Sequence, residues 1–241
     1  MALKITHVGH ATSLIQWDNI NILTDPIFSK RVLCFKRHAP LGIDPTKLPK
    51  LDAILLSHAH YDHLDLFSFK YIPSDVPVLI PVGMSKAIAP YIKNRVVELA
   101  TWARFSLSSD FEIGAVPAKH QGGRFLIPYR YRTCHGYVIS HKGENIYFAG
   151  DTAYDNHFSK ISTTFPLKLS LLPFGHMTFG NFVRAWEDLG KPDCIPIHWE
   201  TFFWYLKTKE GLKAALDKAS MHNPEFQNKL HILEPGENLT L

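Results

Sequence analysis

Short apolar runs alternate with turn residues through the first quarter of the chain. LKITHV (3–8), TSLIQW (12–17) and NINILT (19–24) are rich in β-branched and aromatic residues, and they break at Gly9 and at Asp18-Asn19. Runs of this kind, bounded by turn formers, predict strands. Residues 25–50 carry several prolines and predict a long loop. DAILLS (52–57) predicts a short apolar strand, followed by a turn and a short helix from about Leu64.

The pattern continues with a strand at VPVLIPV (76–82) and a short helix at SKAIAPYIKN (85–94) that Pro90 interrupts. RVVELA, ARFSL and FEIGAVPA predict a run of strands up to Lys119. HGYVIS (135–140) and NIYFAG (145–150) predict a hairpin around His141-Lys142-Gly143. LKLSLLPFG (167–175) and DCIPIHW (193–199) predict buried strands. NFVRAWEDLG (181–190) and KEGLKAALDKAS (209–220) predict helices, the second with apolar Leu212, Ala215 and Leu216. Strands in runs with helices between them imply an α/β (α+β) chain layered helix–sheet–sheet–helix. With no repeat, low-complexity tract or linker, residues 1–241 read as a single domain.

Composition narrows the classes. The chain is 46% hydrophobic and 20% charged, which suits a globular core. A formal net charge of +4 reads as a scattered lysine excess and gives no reason to expect nucleic-acid binding. Cys34, Cys134 and Cys194 are odd in number and far apart, which predicts free thiols, a reducing compartment and hence the cytoplasm. No signal-peptide pattern opens the sequence, and no apolar run is long enough to cross a membrane.

Histidine is the unusual residue, with 14 copies. LLSHAHYDHLD (55–65) crowds His58, His60, Asp62, His63 and Asp65 directly behind an apolar run. A helix would spread them over several faces, whereas an extended chain puts His58, His60 and Asp62 on one side. Three more apolar runs end in a metal-capable side chain: FEIGAVPAKH in His120, NIYFAGD in Asp151 and DCIPIHW in His198. Taken singly, each has a plain structural reading, as a satisfied strand-end histidine or a turn aspartate. As a set they do not, because crowded imidazoles and carboxylates desolvate and repel one another unless a cation holds them.

His58-Ala59-His60-Tyr61-Asp62-His63, with His120, Asp151 and His198, resembles the metallo-β-lactamase superfamily. ITHVGHATSLIQWDNINILTDPIFS, SHAHYDHLD, VPAKH, FAGDTAYD and IPIHWETF look like the branch that holds N-acyl-phosphatidylethanolamine-hydrolysing phospholipase D and the ascorbate-6-phosphate lactonases. These blocks run in order from about residue 4 to 203. The resemblance implies a four-layer αββα sandwich and two divalent ions. His58, His60 and His120 would hold one ion, Asp62, His63 and His198 the other, and Asp151 would bridge them. A donor set without thiolate suits Zn²⁺, with Mn²⁺ or Fe²⁺ as alternatives. It implies a hydrolase whose attacking group is a hydroxide shared by the ions, acting on a phosphodiester, or alternatively on a lactone or ester. A non-catalytic metal-binding module would ordinarily have lost ligands. A redox di-iron site would carry Glu where His60 stands.

Asp62, Asp151 and His176 are the expected catalytic residues. His176, Arg124 and His10 are expected at a small-molecule or lipid-like substrate. Asp25 is expected either to orient a ligand histidine or to form a turn, and Asp65 to do the same or to cap a helix. The chain departs from the branch after Gly175, where a loop is shortened and Phe179 replaces a usual proline, and at Glu200, where glycine is common. The cluster Phe202-Phe203-Trp204-Tyr205 reads as core, with a lipid-facing patch and peripheral membrane contact as the alternative.

Overall fold

The computed structural model describes residues 2–124, 133–199, 201–202, 210–211, 213–214 and 224–241. β1 (Leu3–Gly9), β2 (Thr12–Trp17), β3 (Ile20–Thr24), β6 (Ala53–Leu55), β7 (Val78–Pro81), β8 (Val96–Leu99) and β15 (Asn238–Thr240) form one sheet, in the order β15-β1-β2-β3-β6-β7-β8. β9 (Arg104–Ser108), β10 (Phe111–Pro117), β11 (His135–His141), β12 (Glu144–Phe148), β13 (Leu167–Pro173) and β14 (Asp193–Ile197) form the other, in the order β14-β13-β12-β11-β10-β9. A small hairpin, β4 (Arg31–Val32) and β5 (Phe35–Lys36), lies apart from both.

Side-chain alternation assigns three apolar layers. Ile5, Ile15, Trp17, Ile22 and Leu55 of the first sheet meet Ile113, Tyr137, Ile146, Leu169 and Ile195 of the second in one buried cluster. The opposite face of the first sheet, with Leu14, Leu23, Ile54 and Ile80, packs under the 3-10 turn Leu66–Tyr71 and α1 (Ser85–Ile88). The outer face of the second sheet, with Val138, Tyr147 and Leu172, packs under α2 (His157–Thr164), α3 (Phe179–Asp188) and α4 (Pro224–Lys229). The expected helix–sheet–sheet–helix sandwich is therefore the observed one.

Strand direction gathers the site. β10 and β12 both run antiparallel to β11, and β12, β13 and β14 run parallel. The C-terminal ends of β10, β12, β13 and β14 therefore share an edge. In the first sheet β3 and β6 are parallel, and β2 is antiparallel to β3. That brings the ends of β3 and β6 and the β1–β2 turn to a single edge as well. Each of these ends leads into a site residue: His120, Asp151, His176 and His198 from one sheet, His10, Asp25 and His58 from the other.

Several expectations shift. The 25–50 segment holds the β4–β5 hairpin and a 3-10 turn at Pro45–Lys47 rather than loop alone. The helix from about Leu64 is a 3-10 turn at Leu66–Tyr71, capped by Asp65, whose carboxylate accepts from Phe67 N, Ser68 Oγ and Ser29 N. The helix at 85–94 is confined to Ser85–Ile88. The predicted helix at 209–220 lies largely outside the described residues. No described helix is long and apolar enough to cross a membrane. All three cysteines are unpaired.

Candidate metal centre

The ligand loop starts where β6 ends. Leu56 and Ala59 stay in the outer apolar layer and anchor the loop, while His58, Asp62 and His63 turn into the molecule and are buried. Arg124 braces the loop from outside. Its Nε donates to Ala59 O at 3.0 Å and its Nη2 to Leu64 O, and the guanidinium lies 4.3 Å from the Tyr61 ring centroid. Two of its donor groups are thus engaged by the loop backbone, and that is where the structure puts this expected substrate residue.

Three groups of potential ligand atoms form among the described residues. His58, His60, His120 and Asp151 offer atoms within 4.8 Å of one another, so do His10, Asp62, His63 and His198, and a third group joins Asp151, His176 and His198. Asp151 belongs to both neighbourhoods. Its Oδ2 lies 3.6 Å from His58 Nε2, 3.8 Å from His120 Nε2 and 3.0 Å from His63 Nε2, and its Oδ1 lies 3.3 Å from His198 Nε2. His176 Nε2 stands 2.9 Å from the same Oδ2, with a quarter of its side chain open to solvent. All seven expected ligands and His176 are brought together.

His10 is placed differently from the expectation of a substrate contact. It is fully buried, with φ 61°, and its Nε2 lies 3.0 Å from Asp62 Oδ2. Its ring thus holds the Asp62 carboxylate. Asp25 (φ 32°) and His198 (φ 62°) also occupy the left-handed region. Non-glycine residues reach that region at a cost that the surroundings must cover, and such residues cluster at functional sites.

Hydrogen bonds fix which ring atoms face inward. His63 Nδ1 lies 2.7 Å from Asp25 Oδ2, so its N–H is spent there and Nε2 is the ring atom left to face a cation. Ser57 Oγ donates to Asp25 Oδ2 at 2.6 Å and sits 2.9 Å from His58 Nδ1. With its one proton committed, the hydroxyl accepts from His58 Nδ1–H, which leaves the His58 Nε2 lone pair facing inward. Ser57 is a site residue that the sequence reading missed. Asp25 contacts both Ser57 and the His63 ring, while Asp65 caps the 3-10 turn and holds Ser29 N.

Electrostatics follow burial. Burial holds the His58, His60 and His198 pKa values below the ordinary imidazole value, and that of His120 down to about 4. All four are therefore neutral donors at pH 7. Burial also opposes a charged His63, but the carboxylates of Asp151, Asp62 and Asp25 outweigh it and hold its pKa well above the ordinary value, so a cation at Nε2 would have to displace a proton there. Asp62 and Asp151 are kept ionised by the surrounding imidazoles despite their burial.

The donor set fits divalent cations. His58 Nε2 and His120 Nε2 approach His60 Nδ1 at 2.9 and 3.1 Å, so three ring nitrogens converge where protons could satisfy only part of the set. Asp151 Oδ1 is buried without a hydrogen-bond partner. Unsatisfied buried donors and acceptors of this kind are costly unless a cation completes them. The packing is close. A Cβ on Gly175 would lie 2.6 Å from His198 Nδ1, and one on Gly150 (φ 58°) would lie 2.4 Å from Ser57 Cβ. Neither position has room for a side chain. Glu200 and residues 203–205 lie outside the described residues, while Phe202 is 1% exposed and belongs to the core.

Sandwich and converging ligand groups together define an αββα protein with a candidate metal centre. The model of the beta-lactamase superfamily domain matches residues 20–199, and the chain belongs to that superfamily. It is 32% identical, over 83% of its length, to an uncharacterized protein of Mycobacterium tuberculosis, and spans 59% of that relative. It is 30% identical to the N-acyl-phosphatidylethanolamine-hydrolyzing phospholipase D 1 of Caenorhabditis elegans, covering 89% of this chain and 70% of the relative. Among solved structures, Igni18, a metallo hydrolase from the archaeon Ignicoccus hospitalis, superposes with a TM-score of 0.80 at 21% identity, over 100% of this chain and 99% of its own.

Proposed function

We propose that the protein is a hydrolase dependent on two divalent ions, Zn²⁺ foremost, and that it cleaves phosphodiesters. The observation that carries this reading is the pair of ligand groups that meet at Asp151, with partly exposed His176 on the same carboxylate. Ions bound there would supply Lewis acidity and bring the pKa of water towards about 7. The chain's own residues do the remainder. Asp151 reaches both groups with its carboxylate, Asp62 adds the second anionic donor, and Asp25 and Ser57 hold the His63 and His58 rings with Nε2 facing inward. His176 can hold a phosphoryl oxygen or give a proton to the departing alkoxide, because its ring reaches Asp151 yet keeps an open face.

Phosphodiester is favoured over lactone because the Caenorhabditis relative is a phospholipase D. Three unpaired cysteines support a reducing compartment such as the cytoplasm. The test is turnover by zinc-reconstituted protein on an activated phosphodiester, an N-acyl-phosphatidylethanolamine and a panel of lactones. Hydrolysis of the diesters, abolished by chelation and restored by zinc, is the expected result. Turnover of lactones alone would replace the substrate class. Turnover that chelation leaves unchanged would overturn the metal-dependent reading.

A further inference from the structure

The β4–β5 hairpin lies in a stretch of one-sided charge. Residues 26–43 contain Lys30, Arg31, Lys36 and Arg37 and no acidic residue, a local formal charge of +4. Its centre is the β4–β5 hairpin. Leu33 at the tip is 63% exposed and takes φ 52°, a conformation leucine seldom adopts. Lys30, Arg31 and Lys36 are exposed and have no ion-pair partner among the described residues.

The base of the hairpin is tied to the metal centre. Val32 and Ile27 are buried with Phe202 in a cluster that Tyr61 of the ligand loop also joins. Arg37 pairs its backbone with Phe202 and lays its guanidinium 5.1 Å from that ring. Phe202 in turn stands 5.3 Å from the His10 ring. An apolar tip with a cationic collar therefore rises from the rim of the site.

We propose that this hairpin docks the protein on an anionic phospholipid surface, with Leu33 entering the interface and Lys30, Arg31 and Lys36 facing the headgroup phosphates. Cations near an anionic leaflet attract with about fivefold in affinity each, and an exposed leucine gains by leaving water. A nucleic acid would use the cations but offers nothing to the leucine, so the apolar tip favours a bilayer. Docking needs neither bound ions nor turnover, and it stands or falls separately from the hydrolase reading.

The test is co-sedimentation of the full chain with vesicles of phosphatidylcholine alone or mixed with phosphatidylserine. The wild type should sediment with the mixed vesicles, less so at high salt, and stay in solution with phosphatidylcholine alone. Leu33→Asp should weaken sedimentation at least about fivefold, and the triple change Lys30→Gln, Arg31→Gln, Lys36→Gln at least about a hundredfold. Unchanged thermal melts would establish that both variants fold. The proposal is overturned if the wild type ignores anionic vesicles, if folded Leu33→Asp sediments as the wild type does, or if duplex DNA is bound equally by the wild type and Leu33→Asp while vesicles are not.

Discussion

The Asp25 carboxylate and the His63 ring meet at 2.7 Å, Oδ2 to Nδ1, with both groups fully buried. The same carboxylate also takes Ser57 N at 2.7 Å and Ser57 Oγ at 2.6 Å. Through Ser57 it reaches His58, so one carboxylate orients a donor in each ligand group.

Asp25→Asn should therefore weaken both groups. An amide cannot accept from three donors with a single oxygen, and one of its N–H groups would face a donor. Zinc affinity should fall by about 10–100-fold, as it does when partners of ligand histidines are lost. Competition with a chromophoric chelator measures this, and an unchanged affinity would make Asp25 a turn residue only.

Gly175→Ala should disturb His198 without replacing any candidate ligand. The added methyl group would sit 2.6 Å from His198 Nδ1 and 2.8 Å from its carbonyl oxygen, so the ring or the strand end has to move. Overpacking of this kind costs about 1–3 kcal/mol. Chemical denaturation should report that loss, and metal analysis should report weaker binding at the group containing His198.

Acid should destabilise the fold through buried neutral histidines. Burial foremost, and then Arg37, hold the His7 pKa down to about 4, and burial does the same to His135 and His157. The unfolded chain takes up these protons near pH 6.5 and the folded chain only near 4, so stability is full above about 6.5 and falls as the pH drops towards 4. His7 is 2% exposed and stacks on Trp199 with ring centroids 6.1 Å apart. His7→Phe keeps a ring there and cannot titrate. Between pH 7 and pH 5 the wild type should lose about 2 kcal/mol more than this variant. Equal losses in urea titrations would show that His7 does not carry the effect.

His176→Ala should keep both ions and lose turnover by at least about tenfold, or roughly 1.4 kcal/mol of transition-state stabilisation. Its ring lies 2.9 Å from Asp151 yet is 23% exposed, unlike the fully buried His58, His63 and His198. Loss of an ion along with the imidazole would make it a ligand instead.

Much of this site is legible in the sequence because its ligands follow strands whose apolar runs are unmistakable. His120, Asp151 and His198 each end such a run, and strand direction then forces them to one edge. What stays hidden depends on packing. Ser57 reads as the last residue of an apolar strand, and only the approach of Asp25 from β3 gives its hydroxyl a role. His10 reads as a turn residue open to ligand, whereas the neighbouring strand ends bury it under Asp62. α2 escapes notice because HFSKISTT is poor in strong helix formers. Its helix rests on burial of Phe158 and Ile161 against the sheet. The β4–β5 hairpin is too short to show a strand period.

The measurement that bears most directly on the two-ion centre is elemental analysis of zinc-reconstituted wild type and Asp151→Asn, with circular dichroism on each. About two ions per chain in the wild type, and one or fewer in a folded Asp151→Asn, is the predicted result. A wild-type stoichiometry near zero, or a folded Asp151→Asn that still holds two ions, would contradict the account.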